Sequence, residues 1–570
     1  MRWRAGVLAL GLVTVSVASS IFPGLWPRLL PSMTAASDQG PVVARVYFPD
    51  RATLDRLASH LDVWEVQQRQ GYLLALLSPE ERANLERQGL SVKVDQARSA
   101  ALGPKAEALP GQAAGIPGFP CYRTVEETHQ SLRALAMKNS HLAVWKSIGS
   151  SWEATTPGGR PGHQLHVLVL TNRAAAAPKP VLFLMAEIHA REYATAELAA
   201  RFAEHLVAAY GSDPDATWLL DYNEVHILPL SNPDGREWAE QGYLWRKNTD
   251  SDDGCESFPS YGTDLNRNFS DHWAAAGSTD DPCSEVYHGS AAASEPETQA
   301  IQAYVASLFP DQRGPGDADA APDDATGLLI SLHSYGNWVL FPWGWTRSPA
   351  PNHTELQTLG RKLGYLNGYQ VCRAGDCLYL AAGATDDWAY GQLGVAAYTF
   401  EVGDSFFQNC SSFETSIVPT NVASLLYALK AAHWPYQAPK GPDSLEVTLS
   451  ANLVPLGATA TLTSVADDTR YASGGYGDEP VQHVAAARYT LDAPSWMAGT
   501  VSQPLSAADG AFDEPIEELT GVVSTTGLAP GRHLVLVEAQ DSDGNWGPPS
   551  AVFLYVDQSV RDLFVPMVRK

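Results

Sequence analysis

Residues 179–210, KPVLFLMAEIHAREYATAELAARFAEHLVAAY, read as a buried strand, a short loop and a helix, and the rest of the chain is arranged around them. Residues 181–185 are continuously apolar, as expected for a central strand covered on both faces. From about Thr195 the apolar side chains recur with helical spacing. The loop therefore places His189 and Glu192 just past the carboxyl end of a strand, where open α/β sheets carry their sites.

A histidine and a glutamate three residues apart are a weak signal for a metal site on their own. The alternative is a solvated loop histidine beside a glutamate favoured by the start of a helix. A catalytic zinc needs three protein ligands and one open position. His333 fits the third place, because it ends the run Leu328-Leu329-Ile330-Ser331-Leu332 of another predicted strand; a purely structural histidine is the alternative.

Length and charge exclude some classes of protein. A chain of 570 residues is too long for one ordinary domain. The formal net charge is −26, from 38 basic and 64 acidic residues, so the chain should repel phosphate backbones and not bind nucleic acid.

The N-terminus predicts an export signal within residues 1–36. Arg2 and Arg4 precede the apolar residues 5–21, and small residues follow. A single membrane anchor is the alternative, but the run is short for a full span, so we expect a secreted protein without a stable membrane span. Six cysteines in an exported chain suggest disulfides.

Changes in pattern divide the chain. Residues 41–98 predict a small α+β unit, and the Ala-, Gly- and Pro-rich residues 99–120, with Lys105 among them, predict a flexible, cleavable linker; a plain spacer is the alternative. Strands and helices alternate over residues 121–436, which favours an α/β domain with a mostly parallel mixed sheet flanked by helices. The strand candidates there are residues 165–170, 181–185, 224–230, 328–332 and 396–400.

Residues 437–557 change to short alternating strands separated by turn clusters, which predicts an all-β sandwich of immunoglobulin-like or fibronectin-like kind, followed by a tail, 558–570. Residues 541–545, DSDGN, resemble in part a calcium loop, so a structural Ca²⁺ is one interpretation and a polar hairpin turn is the other. The acidic residues 309–327 are expected to form a mobile surface loop.

Further polar clusters lie between and after the proposed ligands. Arginine binds carboxylates through two parallel hydrogen bonds, so Arg246 and Arg267 are candidates for an anionic ligand. Glu401 ends a buried strand, which is costly unless the carboxylate is bound or working. The clusters are WRKN at 245–248, DLNRNF at 264–269, the set Tyr379, Asp386, Asp387, Trp388 and Tyr390, and TFE at 399–401.

These motifs occur in the order found in zinc metallocarboxypeptidases of the carboxypeptidase A, B and T type, which residues 121–433 resemble. The resemblance implies a zinc site and a general base, Glu401. It also implies that Arg246 stabilises the oxyanion and that a further set of residues binds the C-terminal carboxylate of the substrate. Asp264 would be a carboxylate that orients a ligand histidine. The implied zinc ligands are His189, Glu192 and His333, and the implied carboxylate grip is Asn266, Arg267 and Tyr379.

The resemblance also implies that residues 41–98 are an inhibitory prosegment and that Asp386 lies at the floor of the pocket for the C-terminal side chain. An aspartate there favours basic residues, although dual specificity is open and Asp386 could instead turn away towards the backbone near Thr385. The resemblance implies a disulfide between Cys255 and Cys283, which bracket Asn266 and Arg267. Cys372 and Cys377 are close enough in sequence to pair across a small loop, and Cys121 and Cys410 then remain for each other.

The expected activity is hydrolysis of the last peptide bond of peptides and proteins with a free C-terminus, by a monomer. One alternative is an amidohydrolase that acts on acylated amino acids or cell-wall peptides through a similar zinc triad. The other is a non-enzymatic secreted binding protein. The insert at 309–327 and the C-terminal β region depart from the family's core domain.

Overall fold

The computed structural model describes residues 40–102, 107–175, 178–475 and 478–557. The predicted export signal, Lys105 and the tail 558–570 lie outside these ranges. Within them, no helix is both long enough and apolar enough to cross a bilayer.

The N-terminal unit, residues 41–100, is a four-stranded antiparallel sheet with strand order β2-β3-β1-β4. Its helix α2 begins with a capping box, in which Ser78 and Glu81 each accept a hydrogen bond from the other's backbone N–H. Its elements are β1 (Val42–Tyr47), α1 (Arg51–Ala58), β2 (Asp62–Gln67), β3 (Tyr72–Leu77), α2 (Pro79–Arg87), β4 (Val92–Val94) and α3 (Gln96–Ala100). The sequence did not predict β2, whose pairing with β3 shifts register between Val63 and Glu65.

The predicted linker is not flexible in its second half. Ile116 is fully buried, and Phe119 packs against Tyr193 with ring centroids 5.6 Å apart. The Gln112 side chain donates to the Ile116 carbonyl at 2.7 Å. The linker expectation is corrected for these residues, because their apolar side chains find partners on the central region.

The central region, residues 121–436, is built on an eight-stranded mixed sheet with strand order β11-β10-β12-β9-β7-β8-β6-β5, in which four of the seven pairings are parallel. The middle strands β7 and β9 are buried along their whole length, which explains why β7 is continuously apolar and why β9 is apolar except at Ser331 and the terminal His333. The strands are β5 (Ala143–Ser150), β6 (Gln164–Leu170), β7 (Val181–Ala186), β8 (Glu224–Leu228), β9 (Leu328–His333), β10 (Trp338–Phe341), β11 (Gln370–Arg373) and β12 (Ala396–Glu401).

Helices pack against this sheet and connect its strands. The longest, α6, follows the predicted loop and starts two residues earlier than expected. The helices are α4 (Val125–Lys138), α5 (Trp152–Thr155), α6 (Tyr193–Ala209), α7 (Pro214–Tyr222), α8 (Pro233–Glu240), α9 (Pro296–Leu308), α10 (His353–Asn367), α11 (Ala374–Cys377), α12 (Thr385–Leu393), α13 (Cys410–Ser412) and α14 (Val418–Ala431).

Three disulfides join Cys121 to Cys410, Cys255 to Cys283 and Cys372 to Cys377, which confirms the expected connectivity. The acidic insert is a surface loop, but it is anchored. Arg313 is buried and donates to the carbonyls of Asp319 and Gly391, both at 2.6 Å, so the expectation of a mobile loop is corrected there.

The C-terminal β domain, residues 443–557, is an eight-stranded all-β unit with strand order β13-β15-β18-β17-β16-β19-β20-β14 and its own apolar core. Its strands are β13 (Asp443–Leu449), β14 (Leu453–Pro455), β15 (Thr459–Asp467), β16 (Val484–Leu491), β17 (Gln503–Ala507), β18 (Ile516–Ser524), β19 (Gly531–Asp541) and β20 (Ser550–Asp557). Its assignment to the immunoglobulin-like or fibronectin-like class stays a prediction.

The suggested calcium loop forms a turn after β19. Asn545 donates to the Asp541 carboxylate through its backbone and its side chain, both at 2.7 Å. The described residues contain three groups of close metal-ligand side chains, and Asp541 belongs to none of them. Calcium binding there stays an untested prediction.

Candidate active site

The two histidines and the glutamate proposed as zinc ligands meet at the carboxyl ends of the central strands β7 and β9. His189 and Glu192 lie in the loop between β7 and α6, and His333 ends β9. All three are buried, and their ligand atoms lie within 4.8 Å of one another. The His189 Nδ1 atom is 2.8 Å from Glu192 Oε1 and 3.2 Å from His333 Nδ1.

This donor set fits a zinc ion. Two imidazole nitrogens face each other beside a carboxylate in a buried site. This cluster of electron-pair donors favours a bound cation. Asp264 Oδ1 lies 3.1 Å from His189 Nε2, so that nitrogen is held as the donor and Nδ1 is left as the ligand. The Nε2 atom of His333 is buried and has no hydrogen-bond partner.

Asp264 connects the histidine to Arg246. Its Oδ2 accepts from Arg246 Nε at 3.1 Å and from Nη2 at 2.8 Å, while Oδ1 accepts from the backbone of Asn266 at 3.0 Å. Burial alone would raise the pKa of Asp264, but Arg246 and His189 hold that pKa well below its usual range. Asp264 therefore stays charged and fixes both neighbours in place.

Glu401 lies beside the ligands. It ends β12, and its Cα pairs with that of His333 in the parallel β9–β12 ladder. Burial raises the pKa of the Glu401 carboxyl to about 7, and the nearby Glu192 carboxylate adds to the rise. The side chain is partly buried and lines the same cavity as the three ligands.

Asn266 and Arg267 occupy a 3₁₀ turn that lines this cavity. Arg267 Nε donates to the carbonyl of Gly277 at 2.9 Å, and Nη1 donates to the Asn266 carbonyl at 2.8 Å. Asn266 Oδ1 accepts from the backbone and the hydroxyl of Thr385, so its amino group is the part left for a ligand. Tyr379, after α11, lines the cavity and packs against the core of the N-terminal unit.

Asp386 and Asp387 begin helix α12 but play different parts. Asp386 is 5% exposed, lines the cavity with Thr399 and accepts from the backbone of Asp387 at 3.1 Å. Burial raises the pKa of Asp386. Asp387 accepts from the backbones of Gly344 and Trp345 and does not line the cavity. Across the described chain, no basic nitrogen lies within ion-pairing distance of Asp386.

The cavity has a volume of about 780 Å³ and lies between the central region and the N-terminal unit, whose residues 63–70 form part of its wall. Two contacts between the N-terminal unit and the central region are not predicted by the sequence. Arg191 forms a buried ion pair with Asp62, and Gln68 donates to the carbonyls of Asp376 and Cys377 at 2.7 and 2.9 Å. Arg191 lies between two proposed zinc ligands, in residues 189–192, HARE, and this position is the only sequence feature that marks it.

The fold and the buried donor set at the ends of its strands define an α/β protein with a candidate metal site. The chain belongs to the zinc carboxypeptidase family, whose sequence profile matches residues 128–422, just over half the chain. It is therefore a metallocarboxypeptidase, a zinc-dependent peptidase that acts on peptide substrates.

Curated relatives agree with this assignment. Carboxypeptidase A2 of Rattus norvegicus is 32% identical over 312 residues, which cover 53% of this chain and 67% of that protein. Carboxypeptidase A1 of the same organism is 30% identical over 309 residues, with the same coverage. The crystal structure of carboxypeptidase A from Helicoverpa armigera shares the fold, with a TM-score of 0.54, 22% identity, and coverage of 70% of this chain and 97% of that one.

Proposed function

We propose that this metallocarboxypeptidase is secreted, acts as a monomer, and removes C-terminal residues with a preference that is basic or mixed. The observation that carries the proposal is the pairing of Glu401 with His333 on adjacent strand ends, within one cavity that also holds Arg246 and Arg267. A metal donor set, a proton carrier and two arginines are what hydrolysis beside a free carboxylate requires.

The residues that would hold zinc are His189, Glu192 and His333. A zinc held there would supply a water whose pKa is about 7 and would polarise the carbonyl of the bond to be cut. Asp264 keeps His189 oriented, and its loss would weaken metal binding.

Glu401 acts as general base and then as general acid. A carboxyl with a pKa of about 7 can take a proton from the attacking water and return it to the leaving amine near neutral pH. Arg246 stabilises the oxygen that becomes negative as water adds to the carbonyl. Its two hydrogen bonds to Asp264 hold the guanidinium in position, so little reorganisation is needed during reaction.

Arg267, Asn266 and Tyr379 bind the terminal carboxylate of the substrate, and this grip makes the enzyme an exopeptidase. Asp386 reads the C-terminal side chain. A buried carboxylate facing a cavity is costly unless a cation meets it, so lysine or arginine at the end of the substrate is favoured over an apolar residue.

The N-terminal unit serves as an inhibitory prosegment. Its β2 and the turn after it line the cavity, and the Asp62–Arg191 pair fixes it over the site. Maturation requires cleavage between residues 98 and 121, after an N-terminal signal directs export.

The test compares kcat/KM of the processed enzyme on matched peptides that end in Arg, Lys, Leu and Phe. The proposal expects hydrolysis of all or some of these at the last bond, with the basic pair at least equal to the apolar pair. Selective hydrolysis of the apolar pair would contradict the assigned preference. Cleavage of an acylated amino acid but of none of the peptides would favour an amidohydrolase.

A further inference from the structure

A segment of the C-terminal β domain, residues 472–475, reaches the catalytic cavity. It lies between β15 and β16 and runs beside β11, the edge strand of the central sheet. The Val371 N–H donates to the Gly474 carbonyl at 3.3 Å, and the Ala472 N–H donates to the Arg361 carbonyl at 2.9 Å. The segment therefore extends the catalytic sheet by one short parallel pairing.

This approach requires glycine. Gly475 has a φ of +106°, and a Cβ placed there would lie 1.8 Å from the Val371 carbonyl oxygen. A side chain at this position would push the segment off the edge strand, because the contacting atom is backbone and cannot move aside.

The segment is in line with the catalytic glutamate. Glu401 pairs with Trp338, Trp338 pairs with Gln370, and the next residue, Val371, pairs with Gly475. With strands about 4.8 Å apart, Gly475 lies three spacings from the end of β12, on the order of 14 Å. Gly475 and the side chains between it and Glu401 line one continuous cavity.

The same edge strand supports residues 377–379, here called the Tyr379 loop, which contain the proposed substrate-binding Tyr379. Cys372 in β11 is bonded to Cys377, and Tyr379 follows two residues later. Cys377, Leu378 and Tyr379 all line the cavity. A displacement of β11 would therefore be transmitted to the loop that closes on the substrate carboxylate.

The C-terminal β domain is firmly attached near this point. Lys362 of α10 forms a buried ion pair with Asp443 at 2.9 Å, and Glu479 accepts a hydrogen bond from the Thr358 hydroxyl. Both contacts join the β domain to α10, which packs behind β10 and β11. The attachment therefore lies next to β11, the edge strand that residues 472–475 pair with.

We infer that the C-terminal β domain is a working part of the active site, because its residues 472–475 hold β11, and through β11 the Tyr379 loop, in the position that binds substrate. Gly475 is in this sense a positioning residue. The inference rests on the proposed role of Tyr379 in substrate binding. It expects that loosening the segment weakens substrate binding while the chemical step, carried by Glu401 and the zinc ligands, proceeds as before.

The experiment uses Gly475→Ala in the processed enzyme, which keeps its C-terminal β domain, with Gly510→Ala as the matched control. Gly510 lies in the same β domain with a φ of +101°, but a Cβ there meets no atom within 4 Å. Both variants therefore place alanine at a positive φ, but only the Cβ at position 475 collides with β11. For a substrate ending in arginine, Gly475→Ala should raise KM about fivefold or more with kcat within about twofold, whereas Gly510→Ala should keep both.

A second pair of variants keeps the test decisive if Gly475→Ala fails to fold. Glu479→Ala removes both the acceptor for the Thr358 hydroxyl and the carboxylate that lies 3.7 Å from Arg361 Nε, and should raise KM. Glu479→Gln retains an acceptor for the hydroxyl but not the charge, and should restore KM in part. Thermal unfolding of each variant checks that the fold is kept.

Folded Gly475→Ala and Glu479→Ala variants with wild-type KM would overturn the inference, as would losses confined to kcat. Failure of the proposed function is recognised separately, because the wild-type enzyme would then release no C-terminal residue. A normal wild type with unaffected variants refutes the inference alone.

Discussion

Asp62 and Arg191, 129 residues apart, form a buried two-bond ion pair with N···O distances of 2.7 and 2.6 Å. The Arg191 guanidinium also lies 4.2 Å from the ring centroid of Phe406. The aspartate belongs to the N-terminal unit, and the arginine lies one residue before a proposed zinc ligand. The pair therefore joins the unit that covers the cavity to the loop that would hold the metal.

Asp62→Ala should raise the activity of the uncleaved chain. Removing one partner of a buried pair costs about 3–5 kcal/mol, and here the stranded arginine regains water when the N-terminal unit lifts away. Activity of the intact precursor on a small peptide substrate measures the effect. Glu86→Ala, which breaks the exposed Arg82–Glu86 pair within the same unit, is the control and should leave the precursor as inactive as the wild type. Equal activity of the Asp62→Ala precursor and the wild type would show that the pair does not hold the unit closed.

Glu401→Gln should lower kcat by about 10²–10⁴-fold while zinc stays bound, because the amide cannot carry the proton from water to the leaving amine. Zinc content, measured on the purified variant, separates this loss from loss of metal. A zinc-loaded Glu401→Gln enzyme with near-normal turnover would remove Glu401 from the chemistry.

Asp264→Asn should weaken zinc binding by about 10–100-fold, because the neutral amide no longer holds His189 as a charged acceptor does. Competition with a chelator of known affinity measures the change. Arg246 loses its partner in the same variant, so kcat/KM should also fall even when zinc is saturating. Unchanged zinc affinity would mean that His189 is oriented without Asp264.

Asp386→Ala should shift the preference from basic towards apolar C-terminal residues. Losing the counter-charge for a buried arginine side chain costs on the order of 2–5 kcal/mol, or tens to thousands of fold in the ratio of kcat/KM values. The measurement compares peptides ending in Arg and Phe. Asp387→Asn is the control, since Asp387 accepts from the backbones of Gly344 and Trp345 and does not itself line the cavity, and it should affect stability more than selectivity. An unchanged ratio in Asp386→Ala would show that this carboxylate does not read the substrate.

The sequence predicted the elements with strong local patterns. The buried strands before His189 and His333 stand out as apolar runs, the second interrupted only by Ser331, and the ends of such strands are where side chains of a site converge. The strands β5, β10 and β11 were missed. The last two have four residues each, too few to show a period, and β5 is an edge strand whose side chains are mostly half-buried or exposed. They are stabilised by pairing with neighbours rather than by their own sequence.

Contacts between distant parts of the chain could not be predicted in the same way. Nothing near Asp62 marks it as the partner of Arg191, and nothing near Gly475 marks it as a neighbour of Val371. Such pairs depend on how whole units dock, and a local pattern carries no information on docking. The contributions of the N-terminal unit and of the C-terminal β domain to the site are of this kind.

The most direct measurement of the central claim is release of free amino acids from two versions of one arginine-ended peptide by the processed enzyme. One version has a free C-terminal carboxylate and the other is amidated, and each is assayed with zinc, with a zinc chelator, and after zinc is restored. We predict release of arginine from the free peptide only, its loss with the chelator and its recovery with zinc. Equal cleavage of the amidated peptide, or release that the chelator does not affect, would contradict the account.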